Sequence, residues 1–147
     1  MSALDFNQVI ELIRKEDGRY SRQAYAFIRE GLDQTVKQIR QQDAARARRS
    51  LHVSGRELSE GLRDFALDRF GPMAKTVLNE WGIHRSDDFG EIVYNLIDYN
   101  IFSKTEADRR EDFSGVFEFD DAFVKPFLPR CHQAARKPVK RLKAEGK

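Results

Sequence analysis

Cysteine is almost missing from this chain: of 147 residues only Cys131 carries a thiol. A lone cysteine closes no disulfide within the chain, which excludes the disulfide-stapled class of small domains and predicts a reducing compartment. Histidine is nearly as scarce. His52, His84 and His132 lie far apart and match no ligand spacing of the H-E-x-x-H kind, so no metal centre is predicted. Gly55, Gly61 and Gly71 each stand singly, and no glycine-rich phosphate loop is present. No apolar run approaches the roughly 20 residues of a membrane-spanning helix. The start, Met1-Ser2-Ala3-Leu4-Asp5, has neither the basic nor the apolar region of a signal peptide. A cytoplasmic protein without a membrane segment is expected.

What is abundant is phenylalanine and charge. Eleven Phe supply most of the large apolar volume, enough for a core without disulfide or metal support. The formal net charge of +2 hides an uneven distribution. Residues 1–50 carry +3, residues 51–124 carry −8 and residues 125–147 carry +7. An acidic body with a basic tail predicts different partners for the two parts.

Periodicity predicts a mainly α protein. Phe6, Val9, Ile10 and Ile13 share one face of a first helix over residues 4–15, which ends at Asp17-Gly18. Ser21 is placed to cap a second helix with the stripe Tyr25, Ile28, Leu32, Val36 and Ile39, antiparallel to the first. Gly31 inside that stripe predicts a close helix contact. From Lys37 to Arg49 only alanines accompany the polar residues, apart from Ile39, so this stretch is read as a solvated helix end leading to a boundary near Ser50.

Residues 54–119 organise the rest. Ser54-Gly55-Arg56-Glu57 is a capping box opening a helix with Leu58, Leu62, Phe65, Ala66 and Phe70 on one face. Gly71 stops it and Pro72 begins another, with Met73, Val77, Leu78 and Trp81 assigned to the core, up to Gly82. A third helix opens on Ser86, Asp87 and Asp88, whose charge suits a helix N-terminus. Its apolar face is Phe89, Ile92, Val93, Leu96 and Ile97, fading near Asn100. Ile101-Phe102-Ser103-Lys104 reads as extended, and Phe113, Gly115, Phe117 and Phe119 alternate as in a strand. Three helices and a β-hairpin in that order form a winged-helix-like block. The alternative is a further helical turn over residues 106–112 and no hairpin. Phe127 and Leu128 are expected to dock on the core. The division is therefore an N-terminal helical extension (1–50), the winged-helix-like block (51–129) and a basic, flexible tail (130–147).

The run Phe70-Gly71-Pro72-Met73-Ala74-Lys75-Thr76-Val77-Leu78-Asn79-Glu80-Trp81-Gly82-Ile83 resembles the signature of an uncharacterised family of conserved hypothetical proteins from planctomycete and verrucomicrobial bacteria. Asp88-Phe89-Gly90-Glu91-Ile92-Val93-Tyr94-Asn95-Leu96-Ile97 and residues 117–123 are similar to it as well. The resemblance implies a bacterial cytoplasmic protein and brings no activity, cofactor or site residue.

Function must then be read from surfaces. The outward face of the third helix would carry Asp87, Asp88, Gly90, Glu91, Tyr94, Asn95 and Asp98. Four carboxylates and no cation repel DNA phosphates, so base reading by this helix is not expected. Tyr94, Asn95, Glu91 and Asp98 are instead the predicted contact for a basic partner protein, with Tyr94 as anchor. Phosphate contact, if the chain meets nucleic acid, falls to Arg40, Arg46, Arg48, Arg49 and Arg56, and to Arg136, Lys137, Lys140 and Arg141 of the tail. For catalysis only Cys131-His132 pairs a nucleophile with a base, and side chains adjacent in sequence point apart. Glu118 with Asp120 and Asp121 could bind a cation, but capping of a following helix accounts for the aspartates. No cofactor is predicted, and the leading expectation is a non-catalytic adaptor or regulatory binding module.

Overall fold

A computed structural model describes residues 5–49 and 52–129, and it is mainly α. Helix α1 (Phe6–Glu16) starts at a reciprocal cap, the Gln8 N–H donating to Asp5 Oδ1 at 2.8 Å and the Asp5 N–H to Gln8 Oε1 at 2.9 Å. Ser21 caps α2 (Arg22–Gln42), which runs to Gln42 before the short α3 (Ala44–Arg49). The Ser54–Glu57 capping box opens α4 (Gly55–Phe70). A 3-10 turn over Gly71–Met73 leads to α5 (Ala74–Glu80), and α6 (Ser86–Asp98) follows. Helix α6 closes in a Schellman arrangement: Ile101 N–H reaches Leu96 O at 2.9 Å and Asn100, at φ +64°, reaches Ile97 O at 2.9 Å.

One cluster of buried residues joins α1 and α2 to α4, α5, α6 and the C-terminal segment, so the core crosses residue 50. Helices α2 and α4 approach most closely through small residues. A Cβ on Gly31 would overlap Leu62, and one on Gly61 would overlap Thr35, whose hydroxyl donates to Gly31 O at 2.8 Å. Seven of the eleven phenylalanines form two groups. Phe27 meets Phe65, Phe70 and Trp81, and Phe70 also meets Trp81, with ring centroids 5.3–6.0 Å apart. Phe89, Phe117, Phe119 and Phe123 make a second group at 5.0–6.3 Å.

Among the described residues no strand occurs, and the predicted wing is absent. A 3-10 turn (Arg110–Phe113) stands where one strand was to begin, close to the helical alternative. The physical reason lies at the start of α6. The buried Ser86 hydroxyl donates to Phe113 O at 2.7 Å and accepts the Val116 N–H at 3.1 Å, while Asp87 accepts the Gly115 N–H and the Ser114 hydroxyl. Backbone groups that a strand would give to a ladder are spent on α6 instead. Phe117 and Phe119 sit on one side because both rings pack on Phe89 and Phe123.

Two core assignments also change. Met73 falls in the 3-10 turn, outside the α5 face, and is 55% exposed; Phe127 is 45% exposed in the final turn. The tail expectation at 130–147 lies outside the described residues.

The Arg46–Glu57 clasp bridges the α3–α4 junction. Arg46 donates to both Glu57 oxygens at 2.6 and 2.7 Å and to His52 O at 2.7 Å. The guanidinium, opposed by partial burial, lowers the Glu57 carboxyl to about 2. A depressed carboxylate stabilises the fold above its unfolded pKa and loses that contribution as pH falls through its folded value. Glu57→Gln, which keeps the capping acceptor and removes the charge, is expected to cost about 1 kcal/mol at neutral pH after discounting for solvent screening. The gap in Tm between wild type and variant should close as pH is lowered from 4.5 toward 2. A gap that stays constant through this window in pH-dependent thermal melts refutes the assignment.

Candidate functional site

Helix α6 is held on both sides rather than presented to solvent. Gly90 lies beneath the Phe113 ring, where a Cβ would meet it at 2.9 Å. Asp88 is occupied as an acceptor, taking the Tyr20 hydroxyl at 2.6 Å and the His84 N–H at 2.8 Å. Burial, with Asp88 adjacent, pushes the Tyr20 hydroxyl far above the usual phenol range. Asp17 and Arg19 pair at 2.7 Å; the Arg19 hydrogen bond holds the Asp17 carboxyl well below the carboxylate range, against a smaller opposing effect of burial.

The four residues predicted for protein contact are therefore dispersed in role. Glu91 pairs with Arg19 at 3.2 Å and Arg110 at 3.0 Å. Asn95 donates to Asp17 at 3.1 Å and to the Tyr25 hydroxyl at 3.0 Å. Tyr94 is half-buried with the Arg110 guanidinium 5.0 Å above its ring, and burial raises its hydroxyl. Asp98 alone is exposed.

The predicted phosphate contacts also divide. Arg46 is committed to Glu57, and Arg56 pairs with Glu60 at 3.4 Å. Arg40 and Arg48 are exposed and have no ion-pair partner among the described residues. The side chain of Arg49 and the cations at Arg136, Lys137, Lys140 and Arg141 lie outside the described residues, as does Cys131-His132. Asp120 pairs with Lys75 at 2.7 Å and Asp121 with Lys125, while Glu118 is exposed; among the described residues no group of three His, Cys, Asp or Glu side chains is placed to hold a metal.

What the tertiary structure assembles is a different place, a cleft of about 310 Å³. Leu32 and Val36 of α2, Leu58 of α4, and Val93 and Ile97 of α6 line its apolar walls. The segment that follows α6 closes it with Ile101, Phe102 and Phe113. Along the edge stand His52, Tyr94, Lys104, Asp108, Arg109 and Asp112. His52 Nε2 lies 2.7 Å from Asp108 Oδ2. Burial pushes the Asp108 carboxyl up, but the His52 contact and the Thr105 N–H at 2.8 Å outweigh it and the net direction is down. Ser103 lines the same cleft, yet no hydrogen bond joins its hydroxyl to His52 among the described residues.

The volume falls at the small end of the range for ligand sites, and apolar walls with a few convergent polar groups match the common pattern of such sites. Sequence reading missed this cleft. Its only linear signal was the polarity of residues 105–112, and the partner of Asp108 lies in the connection before α4. Comparison with protein-family models, with curated proteins and with solved structures finds no match for this chain. Among the described residues no helix is long and apolar enough to cross a membrane.

Proposed function

We propose that this protein is a non-catalytic adaptor or regulatory binding module that takes a segment of another protein into the cleft between α2, α4, α6 and residues 101–113. The observation that carries this reading is the open apolar cleft itself. Its walls come from helices that belong to the common core, so the site is preformed and little ordering opposes binding. An aliphatic or aromatic side chain of the partner is the natural occupant of such walls. The acidic face of α6 is the less suitable surface, because Glu91 and Asn95 already serve contacts within the chain. The phosphate-binding alternative keeps Arg40 and Arg48, which are exposed and have no ion-pair partner among the described residues, while the side chain of Arg49 and the cations Arg136, Lys137, Lys140 and Arg141 lie outside them. The single cysteine assigns the module to a reducing compartment such as the cytoplasm.

Panning the full chain against a library of random dodecapeptides tests this. The enriched peptides should carry at least one large apolar residue and lose about tenfold or more in affinity for Ile97→Arg and for Val36→Arg, each confirmed folded by circular dichroism. Enriched peptides that bind both variants as tightly as wild type would place recognition elsewhere.

A further inference from the structure

We infer that the segment entering the cleft is acidic, with an apolar side chain on the walls and a neighbouring Asp or Glu carboxylate held by Lys104 and Arg109. This rests on the cleft being the recognition site and concerns which chemistry it selects. Its edge carries Asp108 and Asp112 as well as the two cations, so formal charge alone decides nothing. Contacts within the chain do: Asp108 Oδ2 lies 2.7 Å from His52 Nε2, close but without hydrogen-bond geometry, and accepts the Thr105 N–H at 2.8 Å, and Asp112 accepts the Arg109 N–H at 3.0 Å.

Both carboxylates are thus engaged inside the chain, while the cations are not. Lys104 and Arg109 are exposed, and neither side chain has an ion-pair partner among the described residues. Glu106 and Glu111, the remaining carboxylates of the same segment, do not line the cleft. The unmet electrostatic demand at the edge is positive. A basic segment would find only the Oδ1 of carboxylates whose Oδ2 already holds a donor, a weaker attraction than two cations without a partner offer a carboxylate. A neutral segment would cover two cations without replacing their water, an unfavourable exchange. A carboxylate satisfies both, and the planar guanidinium of Arg109 suits two-point contact with it.

The same dodecapeptide library distinguishes this inference from the reading beneath it. Peptides enriched on the full chain should carry Asp or Glu within two positions of the apolar residue. Their synthetic Glu→Gln or Asp→Asn counterparts should bind about tenfold more weakly at low salt, with the difference shrinking as salt rises. On the double variant Lys104→Glu, Arg109→Glu, the original peptides should be lost and panning should now enrich Lys or Arg. Peptides without acidic preference, lost on Ile97→Arg but indifferent to the double charge reversal, would overturn the acidic inference and leave the cleft reading standing. Acidic peptides indifferent to Ile97→Arg and Val36→Arg would overturn both, as would a library that yields no binder.

Discussion

Gly82→Ala is expected to lower the unfolding free energy by about 3 kcal/mol or more. Two causes act together. Gly82 has φ +94°, which costs an L side chain about 1–2 kcal/mol. A Cβ there would also overlap the carbonyl oxygen of Arg19, a backbone atom in the turn between α1 and α2. That turn cannot simply step aside. The Ser21 N–H donates to Trp81 O at 3.1 Å, Arg14 Nε donates to Tyr20 O at 3.1 Å, and Tyr20 is fixed to Asp88. Making room for the methyl group therefore strains the contact between the N-terminal helices and the α5–α6 connection.

Gly71→Ala supplies the comparison. Gly71 also has positive φ, +53° with ψ −130°, a combination open almost only to glycine, but an added Cβ meets nothing within 4 Å, so only backbone strain of about 1–3 kcal/mol applies. Thermal melts of both variants check the difference. For a chain of this size Gly82→Ala should lower Tm by roughly 10 °C, and Gly71→Ala by a few degrees. Equal losses in the two would show that the Arg19 carbonyl yields freely and that the steric argument is mistaken.

Ser86→Ala should cost about 2–3 kcal/mol, more than an ordinary cap. The hydroxyl is buried and works in both directions, donating to Phe113 O and accepting from the Val116 N–H. Its removal strands one backbone acceptor and one donor in the interior, and unsatisfied buried groups carry their full desolvation cost. Loss should concentrate in residues 113–116. Hydrogen exchange at the Val116 amide should accelerate well beyond the change at amides of α2 and α4. Uniform acceleration across all amides would mean that this hydroxyl does not locally anchor the segment. The variant matters for function as well, since Phe113 lines the cleft and its backbone is held by Ser86.

Local rules were reliable wherever the chain supplies its own partners. The Ser54–Glu57 box, the Ser21 cap and the stops near Gly71 and Gly82 all depend on residues within a few positions of each other. The same is true of the apolar stripes, which place Ile10, Ile28, Leu62, Leu78 and Ile92 in the core as periodicity predicts. The close contact expected at Gly31 also appears, against Leu62. Failure set in where two distant segments compete for the same groups. The alternation of Phe113, Gly115, Phe117 and Phe119 is a strand pattern only if a neighbouring strand accepts its hydrogen bonds. Ser86 and Asp87 accept and donate in its place, and nothing in the local sequence announces them as partners. Met73 shows the same limit on a smaller scale: its helical spacing is correct, but the tight turn at Pro72 rotates it outward.

The acidic face of α6 was legible as a row of carboxylates, but not as a set of internal acceptors. Charge can be counted along a chain, whereas the arrival of Arg19, Tyr20 and Arg110 beside those carboxylates depends on how helices pack. The cleft is the extreme case. Leu32, Leu58 and Ile97 look in sequence like ordinary core positions on three helices, and they are indistinguishable there from residues whose neighbours meet. By itself the sequence determined the helices, their caps, the separation of charge and the lack of a strong catalytic motif, because each depends on short-range spacing or on composition. Only the tertiary structure decided which carboxylates are spent, where the helices leave a gap and that His52 faces Asp108 across its edge. Burial and pairing are properties of segments brought together by packing, and no local pattern encodes the distance between them.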